Sequence, residues 1–167
     1  GDFSRAIPAL KEADKLDGKN IDVLLCLGEA CEKQMLIGDA IEAYEKALRL
    51  YKEMNRINEA IDIAKKIINL DKTNADALAM LAEEMIKNGE KEKAEEKFKD
   101  IFITLAEENS IQTGIQIAKR AMELSISYGK QFYAYFLFKD NKIDEAKKLL
   151  ESQNELTQEE KVLLGKI

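Results

Sequence analysis

Residues 75–101 read ADALAMLAEEMIKNGEKEKAEEKFKDI. Leu78, Leu81, Ala82 and Met85 fall at i, i+3, i+4 and i+7, one face of a helix with 3.6 residues per turn. Asn88-Gly89 breaks that run, and glycine readily takes the φ > 0 conformation that ends a helix. A second run follows in Ala94, Phe98, Ile101, Phe102 and Leu105, with Glu, Lys and Asp between them on the solvated face. So short a connection predicts two antiparallel helices in contact. Ala82 and Ala94 are small where the helix axes would approach, and a bulky residue there would overpack by roughly 1–3 kcal/mol.

The composition suits this hairpin as the unit of the whole chain. The 167 residues make one domain or a short repeat array. Hydrophobic residues are 46% and charged residues 35%, as expected of helices with many exposed faces. A single proline and an abundance of Ala, Glu, Lys, Leu and Ile argue against β structure. The net charge of −6 disfavours a nucleic-acid partner, which calls for a basic patch. The most apolar run, QFYAYFLF at 131–138, is far below the ~18–20 residues that span a bilayer. No secretory signal is visible. The helical pattern starts abruptly at Gly1, so residues 1–167 read as a fragment of a longer protein. Cys26 and Cys31 point about 140° apart on a helix. Both are read as reduced packing residues, which fits a cytoplasmic setting.

The same pattern recurs along the chain. Ala6, Leu10, Ala13 and Leu16 share one helical face, with Pro8 expected near the helix start, about Ser4–Ile7. Leu24, Leu27, Gly28 and Cys31 repeat the first half of the hairpin. Gly28 within a helix costs about 1 kcal/mol relative to Ala, which points to a close backbone approach. Ala40, Tyr44, Ala47, Leu48 and Tyr51 repeat the second half, and Ala60, Ile61, Ala64, Ile67 and Ile68 follow. Gly114, Ile115, Ala118 and Ala121 mark another helix, then a short aromatic helix over 131–138 and a last pair through Ala146 and Leu150. Thr157 to Glu160 reads as a capping box opening one more helix.

Spacing turns these resemblances into a period. Ala6 to Ala40 is 34 residues, Ala40 to Ala60 is 20, Ala60 to Ala94 is 34 and Ala94 to Gly114 is 20. The sum is a 54-residue super-period. Residues 1–54 and 55–108 align without a gap, and the third copy needs a two-residue deletion, placed near Ser127–Lys130. The 20-residue steps require the helices near 39–54 and 92–107 to serve two neighbours each.

Leu24, Leu27, Gly28, Cys31, Ala40 and Tyr44 resemble the tetratricopeptide repeat signature, as do Leu78, Leu81, Ala82, Met85, Ala94 and Phe98. Tyr133, Ala134, Leu137, Ala146 and Leu150 follow it more loosely. Leu24 and Leu78 stand where the family has tryptophan, and Gly18 and Lys72 where it has a late proline. The resemblance implies an all-α fold: a right-handed α-solenoid of antiparallel helix hairpins, about nine to ten helices, forming a single array over 1–167. It also implies a concave groove, lined by first helices, that receives a peptide or helix of a partner protein.

Nothing in the sequence marks catalytic chemistry. There is no histidine, the commonest general base and metal ligand, and the glycines are dispersed rather than clustered in a phosphate loop. Carboxylate pairs such as Glu83-Glu84 fall on polar helix faces. No enzyme activity, cofactor or metal is therefore expected.

By position, the groove residues are Asp22, Leu25, Glu29 and Glu32, then Asp76, Ala79, Glu83 and Ile86, then Gln131, Tyr135 and Phe138. The family's carboxylate clamp needs Lys, Asn and Arg at such places, and acids stand there instead. An acidic and apolar groove favours a partner segment with basic and apolar residues. The rings of Phe132, Tyr133, Tyr135, Phe136 and Phe138 either fill a core or leave Tyr135 and Phe138 exposed as anchors. The alternative to an adaptor is a self-assembling structural module, a homo-oligomer stacked through unfinished repeats at the chain ends.

Overall fold

The structure, a computed structural model, describes residues 3–151. Nine helices and no strands occur among them. They are α1 (Phe3–Leu16), α2 (Ile21–Lys33), α3 (Ile37–Glu53), α4 (Ile57–Leu70), α5 (Ala75–Lys87), α6 (Lys91–Glu107), α7 (Ile111–Glu123), α8 (Gly129–Lys139) and α9 (Ile143–Glu151). The helix starts carry the expected period. Phe3, Ile57 and Ile111 are spaced by 54 residues, as are Ile21, Ala75 and Gly129. The described residues thus hold three copies of a three-helix unit, a tetratricopeptide-like succession of helix hairpins. The capping box at Thr157 lies outside the described residues.

Two kinds of turn join the helices. Six are closed by a residue at positive φ: Met35, Asn55, Gly89, Asn109, Ser125 and Asn141. At each, the following amide reaches back to a carbonyl in the last helical turn, as Leu36 N–H does to Cys31 and Glu90 N–H to Met85. This is the Schellman closure, which satisfies carbonyls the helix end would otherwise leave open. The turns after α1 and α4 use side chains instead. Asn20 Oδ1 accepts from Val23 N–H, and Asn74 Oδ1 from Ala77 N–H, each capping the next helix. Asp17 and Asp71 accept from the amides of Lys19 and Thr73. After α7 the third copy has Ser125 in place of that device. Helix α8 then has 11 residues against 13 in α2 and α5, which is where the two-residue deficit is absorbed.

The chain divides into two compact units, residues 1–81 and 82–167, with α5 crossing the division. In the first unit, α1 packs on α2, α2 on α3 and α3 on α4. Its core joins Ile7, Leu27, Cys31, Tyr44, Leu48, Tyr51, Ile61, Ala64 and Ile67. Gly28 is the predicted close approach: a Cβ there would lie 2.4 Å from the Tyr44 ring. In the second unit α6, α7, α8 and α9 pack in succession. Its centre is aromatic, with Phe102 stacked on Phe132 at 4.4 Å and Phe136 abutting Gly114.

Three expectations change. Leu16 is not inward; it is 83% exposed at the end of α1. Cys31 is buried but Cys26 is exposed, so only one of the two is a packing residue. Helix α1 begins at Phe3, ahead of the expected first turn, and Pro8 lies inside it on the exposed side. The helix therefore gives up one i→i−4 hydrogen bond to the Ser4 carbonyl.

Candidate functional site

In the first unit α3 packs on both α2 and α4, and a side-chain bond bridges α2 and α4 directly. Glu29 and Glu32 of α2 face this junction, one helical turn apart. Glu29 accepts from Lys66 Nζ of α4 at 2.9 Å. Glu32 accepts from the Tyr44 hydroxyl of α3 at 3.0 Å. Lys66 also sits 5.3 Å from the Tyr44 ring centre, a cation–π contact. The buried phenol is pushed well above its ordinary pKa, first by desolvation and then by its bond to Glu32. Tyr44 remains a neutral donor as a result.

Glu29, Glu32 and Lys66 line a cleft of about 270 Å³ with Lys33, Asn69 and Leu70. Leu70 supplies an apolar wall, while Glu29, Glu32, Lys33, Lys66 and Asn69 supply acceptors and donors. At the other end of α2, Asp22 interacts electrostatically with Arg56, the residue just before α4. Arg56 itself is held by Glu59, 2.7 Å away. The acids of α2 thus meet basic residues along α4, giving a striped surface rather than a uniformly acidic one.

The remaining sequence-derived positions are distributed. Leu25 is half-buried against the first unit's core. Asp76 is exposed and Ala79, on the same helix, is buried at 7% exposure, so Ala79 offers no open surface. Glu83 and Ile86 are half-buried. In α8, Gln131, Tyr135 and Phe138 are all half-buried. Tyr135 makes an edge contact with Phe136 and lies under Lys139 Nζ, 5.7 Å from its ring centre. Phe136 is fully buried and Phe132 stacks inward, so the aromatic cluster chiefly fills a core. Within the first unit the structure brings Glu29 and Glu32 to one cleft.

Lys66, Asn69 and Leu70 escaped the sequence reading, which assigned the groove to first helices alone. The signal was present in the 20-residue step: if α3 serves two hairpins, α4 must lie beside α2. Among the described residues no helix is long and apolar enough to cross a membrane.

No family model matches the chain, and no curated protein matches it. Among solved structures it is similar to a crystal structure of MamA, at 25% identity over 87% of this chain and 92% of that one, TM-score 0.35. A second structure of MamA protein shares 24% identity over 94% and 89%, TM-score 0.31. A tetratricopeptide repeat protein from Parabacteroides merdae shares 19% identity over 99% and 79%, TM-score 0.34.

Proposed function

We propose that the chain is a non-catalytic protein-interaction module, and that the cleft between α2 and α4 receives a short peptide or helix of a partner protein. The cleft's composition carries this reading: Glu29, Glu32, Lys66 and Asn69 present both acceptors and donors beside the apolar wall of Leu70. A segment with basic and apolar residues suits it, the basic side chains competing with Lys66 for Glu29. The sequence period supports treating residues 1–167 as one array, and the absence of histidine and of a phosphate loop supports a non-catalytic role. A reducing, cytoplasmic setting accords with two unpaired cysteines.

The test is binding of a library of basic–apolar peptides to the isolated chain and to Glu29→Lys and Glu83→Lys variants. The expected outcome is selection of peptides whose affinity falls with salt and is lost in Glu29→Lys. Unchanged affinity and salt dependence in both variants would overturn the assignment.

A further inference from the structure

The cleft between α2 and α4 already holds a cation, and it is the chain's own. The ammonium of Lys66 lies 2.9 Å from Glu29 and 5.3 Å from the centre of the Tyr44 ring. Glu32 accepts from the hydroxyl of that same ring at 3.0 Å. Donation of a phenol to a carboxylate pushes electron density into the ring and strengthens its hold on a cation. One carboxylate, one aromatic face and a second carboxylate on the ring's hydroxyl thus make a site for a single ammonium group.

The hold on Lys66 is loose. Its side chain and that of Glu29 are 43% and 58% exposed, so the pair contributes little to stability and exchanges readily with water. The cleft sets Glu29 and Glu32 against Lys33 and Lys66, and with Lys66 turned out to solvent the acids prevail. Tyr44 is fully buried while Lys66 lines the cleft, so a cation reaches the ring only by moving Lys66. The second unit does not repeat the set. At a spacing of 54 residues, Glu29, Tyr44 and Lys66 correspond to Glu83, Phe98 and Arg120, but Glu32 corresponds to Ile86. Phe98 has no hydroxyl to donate, and Arg120 bonds Glu123 at 2.8 Å.

We propose that Lys66 is an internal stand-in for a lysine of the partner. The cleft recognises a primary ammonium on an alkyl stem, which displaces Lys66 from Glu29 and the Tyr44 ring and lays its stem against Leu70. This rests on the peptide-binding reading of the cleft and names the group that the cleft reads. Lys66 sets the affinity, because its contact with Glu29 must break before the partner's ammonium enters.

The probe is n-butylammonium, the head and stem of a lysine side chain. It is titrated into the full chain and followed by NMR of isotope-labelled backbone amides. Lys66→Ala removes the internal cation and Lys66→Arg keeps one. Lys65→Ala removes the same charge one residue away, from a side chain outside the cleft that bonds Asp62 at 3.2 Å. The expected result is saturable shifts around Glu29 and Glu32 in Lys66→Ala, with affinity about fivefold or more above the parent's. That gain is lost when Glu29→Gln is added. Lys66→Arg and Lys65→Ala bind as the parent does. No gain in Lys66→Ala, or an equal gain in Lys65→Ala, overturns the proposal. If a library peptide still binds through Glu29 in that case, the peptide reading of the cleft stands without it. Saturable ammonium binding to Lys66→Ala with no peptide bound would instead keep the ammonium site and overturn the peptide reading.

Discussion

Two junctions 54 residues apart join a long helix to the head of the helix two places on, and they use different chemistry. Between α3 and α5, Asn74 donates to Glu45 at 2.6 Å. Between α6 and α8, the residues at the same repeat positions are Lys99 and Tyr128, with the ammonium 5.3 Å from the ring centre. The cores differ likewise. Leu48 in the first unit corresponds to Phe102 in the second, and Gly28 against Tyr44 corresponds to Ala82 and Phe98. Helix positions are kept while the contacting groups change. Backbone geometry comes from turns and lengths, and each junction needs only some favourable pair of suitable size.

The largest expected difference lies in the aromatic core. Phe102→Ala removes a fully buried ring and its stack on Phe132. It should cost ~3–5 kcal/mol, and the lost ring pairing adds about 0.5–1.5 kcal/mol to the difference from Leu48→Ala. Urea denaturation of the two variants measures this. Equal losses would mean that the stacked rings contribute no more than apolar area.

Gly28→Ala probes the small-against-ring fit. The added methyl meets the Tyr44 ring at 2.4 Å, an overpacking cost of roughly 1–3 kcal/mol set against about 1 kcal/mol of helix propensity regained. Net destabilisation is expected, and Tyr44→Leu in the same chain should relieve it, since Ala134 and Leu150 form that pairing in the third copy. A Gly28→Ala chain that melts above the parent would remove the steric account.

The smallest effect is electrostatic and confined to the second unit. Glu95 accepts from the Ser127 hydroxyl at 2.6 Å and from its amide at 3.3 Å. These bonds favour the carboxylate and hold its pKa below the ordinary glutamate value, with the Ser127 side chain the main cause. A group whose pKa is lowered on folding stabilises fully above its unfolded pKa. That contribution drains away as pH falls through the native value. Ser127→Ala should therefore melt closer to the parent at acid pH than at neutrality. The first unit has Thr73 where Ser127 stands, and there the hydroxyl turns back to its own loop at Asp71.

Much of the fold was legible because helical spacing and repeat spacing reinforce each other. Ala60 and Gly114 are small at one repeat position, and the helices around them start in register. The predicted inward residues Leu24, Leu27, Tyr44, Ile67, Leu78 and Phe98 are all buried. Leu16 misled because its periodicity is correct but no described residue covers it. Periodicity reports which face a residue lies on, and burial needs a neighbour. The candidate site was half legible. Glu29 and Glu32 follow from their place on a first helix. Lys66 sits in a helix assigned a packing role, and only the doubled duty of α3 brings it across to Glu29.

Met35 has a chemical consequence apart from packing. It holds φ 58° where the other such turns place Asn, Gly or Ser, and its side chain is 81% exposed. Met80, by contrast, is 2% exposed within the core. Conversion of a thioether to its sulfoxide adds polarity and bulk, which water accommodates and a packed interior does not. An oxidant reaching the folded chain meets the sulfur of Met35 long before that of Met80. The turn can be oxidised and repaired with the helices intact, while sulfoxide at Met80 would record that the chain had already opened.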